Sequence, residues 1–214
     1  MTNLLTVLRD GAGFVVIHKP AGIPTEAYAD HDTVEARAWK MYQRPGSPKL
    51  PFVGIVHRLD RPVSGVLVLA RNKSTLRRLN QAFADKQVSK HYLARTQVPL
   101  PGEVGTLRHF LVKDNLNRRA TVHDRAKNGA KLSTLKYRLR NQGNGFYAYE
   151  IEPITGRYHQ IRAQLAAAGA PIIGDEKYGS PIRFRPNEIM LHAHRLAFPD
   201  AEGGVVEVEI LPDW

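Results

Sequence analysis

Between two apolar runs, Ile55-Val56 and Val66–Ala70, the chain carries HRLDRPVSG, which sets Asp60 between Arg58 and Arg61. A nearby positive charge favours the ionised form of a carboxylate. An ionised carboxylate presented in a turn can act as nucleophile, as base, or as stabiliser of developing positive charge. Two further segments carry residues of comparable promise. KHYLA at 90–94 supplies Tyr92, an aromatic face with a hydroxyl; GRYHQIRAQL at 156–165 supplies Arg162, a permanently charged guanidinium that can bind a carboxylate bidentately. Each also has a plain structural reading: a surface ion pair for Asp60, a half-buried strand position for Tyr92, a solvated helix face for Arg162.

Other chemistries find no support in the residues. The chain has no cysteine, so disulfides, thiolate metal sites and cysteine nucleophiles are excluded. No GxxxxGK[ST] loop is present and no GxGxxG follows a strand, so no nucleotide cofactor is expected. HExxH is absent and no metal is expected; Ser64-Gly65 lacks the GxSxG elbow and reads as part of a turn. What remains for chemistry is carboxylates, a tyrosine and arginines.

The charge balance points to the partner. Thirty-one Lys+Arg against 20 Asp+Glu give a net charge of +11 over 214 residues, which favours a polyanion, nucleic acid before membrane. No window approaches the roughly 18–20 apolar residues of a membrane span, and the N-terminal MTNLLTVLRD lacks the form of a signal peptide. A cytoplasmic protein without membrane association is expected.

The elements that must position these residues follow from periodicity. Strands are expected at Phe14–His18, Ile55-Val56, Val66–Ala70, Val88–Val98, about 106–112, about 133–140, FYAYEIEP at 146–153, Met190–Phe198 and Val205–Leu211. Helices are expected around Thr33–Tyr42, over NKSTLRRLNQAFADKQ, where Leu76, Leu79 and Phe83 recur at helical spacing, and over His159–Ala168 with Gly169 as C-cap. NQGNG at 141–145 reads as a hairpin turn, and a loop is expected between the strands near 112 and 133. Many strands and few helices give α+β, a mixed and mainly antiparallel central sheet with flanking helices, in one continuous domain over 1–214.

Five segments, in order, resemble the RluA family of RNA pseudouridine synthases. VVIHKPAG is similar to that family's strand-KPAG box, HRLDRPVSG to HRLDxxTSG, and KHYLA to K-x-Y-x-A. GRYHQIRAQLAAAGAPIIGDEKYG resembles GRTHQIRxHLxxxGxPIxGDxxYG, and IMLHAHRLAF resembles the LHAxxLxF strand. Val63, Tyr158 and Gln164 depart from the family's usual Thr, Thr and His. The resemblance covers about Val15 to Phe198 and implies the pseudouridine synthase fold with an RNA-binding cleft. With no S4-like lobe ahead of the first strand, it is to the short form. It implies that uridines in rRNA or tRNA are isomerised with Asp60 as catalytic aspartate, Tyr92 stacking on the base and aiding proton removal, and Arg162 pairing with Asp60. Lys19, His57, Arg58, Arg61, Arg157, His159 and Leu191 fall at substrate- or RNA-binding positions, and a monomer without cofactor is expected. A non-catalytic RNA-binding factor and a glycosidase are the alternatives; the latter needs a second carboxylate, for which Glu152 and Asp175 are the candidates.

Overall fold

The computed structural model describes residues 5–29 and 31–214; residues 1–4, the start of the N-terminal stretch read above, and residue 30 lie outside it. The chain forms two compact units. Unit 1 comprises the described residues of Met1–Lys90 with Ala193–Asp213, and unit 2 comprises His91–His192 with Trp214.

Unit 1 is built on β1 (Thr6–Gly11), β2 (Phe14–Lys19), α1 (Val34–Tyr42), β3 (Gly54–Ile55), β4 (Ser64–Ala70) and α2 (Lys73–Ala84). The apolar runs FVVIH and VLVLA become β2 and β4, and every residue of β4 is buried. They pair antiparallel with Lys19 opposite Gly65 and Ile17 opposite Leu67. Both helices start as their sequences require: Thr33 Oγ1 accepts from the Ala36 amide at 3.1 Å, and Asn72 Oδ1 accepts from the Thr75 amide at 2.8 Å. α2 lays Leu79 on a core of Phe14, Val16, Val66, Val68, Leu196 and Phe198. The polar edge strand β1 lacks the apolar signature that marks its neighbours, and no strand was expected there.

Unit 2 orders its strands β5-β9-β8-β6-β7, with β5 at Ser89–Thr96, β6 at Val104–Asp114, β7 at Arg119–His123, β8 at Lys131–Gly143 and β9 at Phe146–Pro153. The described registers are all antiparallel. Asn144 (φ 50°) and Gly145 (φ 78°) form the tight turn between β8 and β9, as the Asn-Gly pair demands. The segment expected as a loop after β6 contains β7 instead. Asp114 pairs with Arg119, and Asp114 Oδ1 accepts from the Asn117 amide, closing a β6–β7 hairpin. RATVH is too short to show alternation by itself, and its place is fixed by pairing with β6. α3 (Gln160–Ala167) ends with Gly169 at φ 81°, as a helix C-terminus favours.

The chain closes with β10 (Leu191–Pro199) and β11 (Val205–Glu209), antiparallel to each other; β10 joins β4 within unit 1. No helix of the described residues is long and apolar enough to cross a membrane.

The glycine of HRLDRPVSG has a steric reason. Gly65 sits at φ 128°, and a Cβ there would lie 2.5 Å from the Ala193 amide nitrogen, since β10 runs directly against it. Substitution must displace backbone as well as strain the dihedral. Gly65→Ala is expected to cost about 3 kcal/mol or more of stability in chemical denaturation; a loss under about 1 kcal/mol would contradict this packing.

Candidate active site

In unit 1, Asp60 lies half-buried on the segment between β3 and β4, and that segment is tied down on both sides of it. Thr25 Oγ1 donates to the Leu59 carbonyl at 3.0 Å and accepts from the Leu59 amide at 3.2 Å. The Gly22 amide donates to the Arg61 carbonyl at 2.8 Å, while Arg61 Nε donates to the Gly22 carbonyl at 2.8 Å. The Val63 amide donates to the Asp60 carbonyl at 3.0 Å. Beneath them the fully buried Lys19 Nζ donates to the carbonyls of Pro20 (2.9 Å), Arg61 (3.3 Å) and Val63 (2.7 Å). KPAG and HRLDRPVSG are therefore two halves of one device.

Three carbonyl acceptors match the three N–H donors of an ammonium group, whereas a neutral amine has only two. Burial pushes the Lys19 ammonium down to about 7, and the negative charge of Asp60 opposes that shift.

The neighbouring residues take other places. Arg58 Nη1 reaches Glu26 at 2.9 Å with both side chains exposed. Such a pair is worth little, and a phosphate can compete for the guanidinium. Arg61, expected at an RNA-binding position, is exposed and uses its Nε to hold the Gly22 carbonyl. The RNA-facing position expected for His57 is corrected fully. Its ring stacks on Phe83 with centroids 5.0 Å apart, and Nε2 accepts from the Val68 amide at 3.3 Å. Burial, with the charge of Lys90 adding to it, pushes His57 down to about 3, so it is a neutral packing residue.

In unit 2, Tyr92 lies half-buried on β5 opposite Ile151 of β9. Arg162, expected on a helix, is buried in α3 and held edge-on by Asp175: Nε donates to Oδ2 at 2.7 Å and Nη2 to Oδ1 at 2.8 Å. The Tyr178 ring lies 5.1 Å from its guanidinium carbon. The Tyr178 hydroxyl accepts from the Ala120 amide at 2.7 Å and lies 3.0 Å from His159 Nδ1. His159, at φ 50°, opens α3 and stacks on Tyr158 with centroids 3.8 Å apart. The Gln160 side chain accepts from the Arg157 amide and from Thr155 Oγ1, and donates to the Thr134 carbonyl, so it braces the start of the helix. The Arg157 side chain is exposed, and Leu191 is buried at the start of β10.

Asp175 as the partner of Arg162 is the residue that sequence reasoning did not assign. Both belong to one GRYHQIR…GDEKYG run, but the 13-residue separation includes a helix end and a turn that give no pairing signal. The same contact removes Asp175 as the second carboxylate of a glycosidase. Glu152 neighbours Ile151 on β9 and so faces away from Tyr92, within reach of Lys136 at 3.9 Å. The glycosidase reading loses both candidates.

Two outcomes follow. Lys19→Met keeps the bulk and removes the donors, and is expected to cost on the order of 2–4 kcal/mol. Between about pH 7 and 10.5 the unfolded chain holds a proton on Lys19 that the native protein has lost, so native stability from this group rises with pH. The deficit of Lys19→Met in guanidinium denaturation is therefore expected to widen from pH 6 to pH 9; a constant or shrinking deficit would contradict the assignment. Asp175→Asn strips a buried guanidinium of its partner and is expected to cost about 3–5 kcal/mol by the same measurement.

Residues 13–167 match the family model described as RNA pseudouridylate synthase. Among curated relatives, ribosomal large subunit pseudouridine synthase D of Borreliella burgdorferi is 32% identical over 199 residues, which cover 90% of this chain and 60% of that protein. Ribosomal large subunit pseudouridine synthase C of Rickettsia bellii is 33% identical over 187 residues, 85% of this chain and 60% of the relative. The chain thus spans about 60% of the length of these relatives. Two solved structures share the fold at 24% identity: human RNA pseudouridylate synthase domain containing 1, with a TM-score of 0.80 and coverage of 99% of this chain and 85% of that one, and human RNA pseudouridylate synthase domain containing 4, with 0.77, 97% and 89%. The matched span includes the Asp60 segment, the strand of Tyr92 and the helix of Arg162, and the chain belongs to the RNA pseudouridylate synthase family.

Proposed function

We propose that this protein isomerises uridine to pseudouridine in RNA, ribosomal RNA first, acting in the cytoplasm as a monomer. The observation that carries the reading is the Asp60 segment, braced at Leu59, Arg61 and Val63 by Thr25, Gly22 and Lys19. A reacting carboxylate needs such rigidity, because misplacement by an ångström costs much of its effect.

The reaction breaks the C1′–N1 bond of uridine, turns the base and rejoins it through C5, with loss of the C5 proton. Breaking a glycosidic bond develops positive charge on the sugar, which a carboxylate captures or stabilises; that is the role given to Asp60. The base does not leave the site, so a second carboxylate is not required. A uridine within a helix must be extruded to be reached, and the face of Tyr92 replaces the stacking it loses. The Tyr92 hydroxyl is assigned the removal of the C5 proton. Arg162 is assigned as the cationic partner of Asp60. With Asp175 fixing its Nε/Nη2 edge, the guanidinium keeps one orientation. Neither metal nor organic cofactor enters any step.

Tyr92→Phe retains the stacking face and loses the hydroxyl. It is expected to lower kcat on the order of 10²-fold and to expose a primary isotope effect with 5-deuterated uridine in the RNA, because proton removal becomes rate-limiting. Unchanged kcat and no isotope effect would remove Tyr92 from that role. Pseudouridine mapping of total RNA from a strain lacking the gene is expected to lose one or a few sites, restored by the wild-type gene and not by Asp60→Asn. An unchanged map would contradict the proposed function.

A further inference from the structure

The functional reading leaves a concentration of charge in unit 2 unexplained. Lys113, Arg118, Arg119, Arg157 and Lys177 are all exposed, and none forms an ion pair with a carboxylate among the described residues. Asp114, which pairs with Arg119 in the β6–β7 register, also accepts from Asn117, whose amide reaches Oδ1 at 3.0 Å and whose Nδ2 reaches Oδ2 at 2.7 Å. Glu176 pairs with Arg183 at 2.8 Å. On β8 of the same unit, Lys136 finds Glu152 and Arg140 finds Glu150. Leaving like charges together without counter-ions costs self-repulsion, which an anionic partner relieves.

Two of these cations lie beside aromatic rings. Lys113 Nζ lies 5.1 Å from the Tyr158 ring centre, and the Arg119 guanidinium carbon lies 5.9 Å from that of Tyr178. The tip of the β6–β7 hairpin is anchored to this platform. The Arg118 carbonyl accepts from the Tyr158 hydroxyl at 3.3 Å and from Lys177 Nζ at 3.2 Å, which pins Arg118 in a left-handed conformation at φ 48°. Ala120 is held by the Tyr178 hydroxyl. The Arg162 guanidinium carbon lies 5.1 Å from the centre of the same Tyr178 ring, so hairpin and Arg162 share one ring. At the hairpin apex Leu116 is 90% exposed. A lone exposed leucine means little; at the tip of a rigid cationic arm it is placed to rest on a base, as apolar side chains do in nucleic-acid complexes.

We propose that the β6–β7 hairpin is an RNA-gripping arm. Lys113, Arg118, Arg119, Arg157 and Lys177 hold the phosphates of the strand that leads to Arg162, and Leu116 packs on a base beside it. This rests on the RNA reading above and adds where unit 2 takes hold. Phosphate contacts of this kind set affinity and register without reading sequence.

The test uses fluorescence anisotropy of a fluorescein-labelled RNA stem-loop with uridines in its loop, titrated over a range of salt concentrations. Four proteins are compared: wild type, the triple variant Arg118→Gln/Arg119→Gln/Lys177→Gln, a charge-matched triple variant of β8 (Lys136→Gln/Arg138→Gln/Arg140→Gln), and Leu116→Ser. The hairpin triple is expected to bind on the order of tenfold or more weakly, with the slope of log affinity against log salt shallower by about 2–3. The β8 triple is expected to change that slope by less than about 1, and Leu116→Ser to weaken binding a few-fold, about, with the slope unchanged. Wild-type binding with a hairpin triple no different from the β8 triple overturns this inference alone. A wild type that binds no RNA overturns the functional reading, and this inference with it.

Discussion

A single buried amine organises the half of the protein that carries Asp60. Lys19 ends β2, and the β2–β4 register sets it opposite Gly65, directly beneath the segment that leads into β4. From there Nζ collects three carbonyls that lie before and after Asp60 in the chain. Burying an ammonium group is costly, and the shift of Lys19 to about 7 expresses that cost. The three hydrogen bonds and the nearby carboxylate offset it, so the loop conformation and the charge state of Lys19 depend on each other. Gly65 is part of the same constraint, because only a residue without a Cβ lets the Ala193 backbone approach.

Unit 2 solves a related problem with an ion pair. A guanidinium within a helix can point many ways, and its long side chain loses much entropy when fixed. Asp175 takes two of its nitrogens in a fork geometry, and Tyr178 covers its face. Burial of such a pair adds little net stability, yet it determines where the remaining N–H groups point. Orientation, more than stability, is what a charge-stabilising group requires. The Tyr178 hydroxyl extends the same support to β7 and to His159, the residue that caps α3, so helix, hairpin and ion pair are fixed together.

Much of this was legible before the fold was seen, where the physics is local. The apolar runs of β2 and β4, the Asn-Gly turn at 144–145 and the Gly169 stop each follow from a few adjacent residues. β1 and β7 were missed because edge strands with polar or very short sequences owe their form to the strand beside them. The grip of Thr25 on Leu59 spans 34 positions and that of Lys19 on Val63 spans 44, and no local pattern announces either. His57 sits within the most chemistry-rich motif of the chain, yet its ring is turned to Phe83 and to the Val68 amide, so residue type in a motif did not fix direction.

The central claim is that Asp60 acts chemically on a uridine of RNA. Release of tritium from [5-³H]uridine-labelled ribosomal RNA measures loss of the C5 hydrogen, which accompanies rejoining through that carbon. The account predicts steady release by the wild-type protein and none above background by Asp60→Asn, with RNA affinity retained in both. Release that is equally absent from both proteins, or equally present in both, would contradict it.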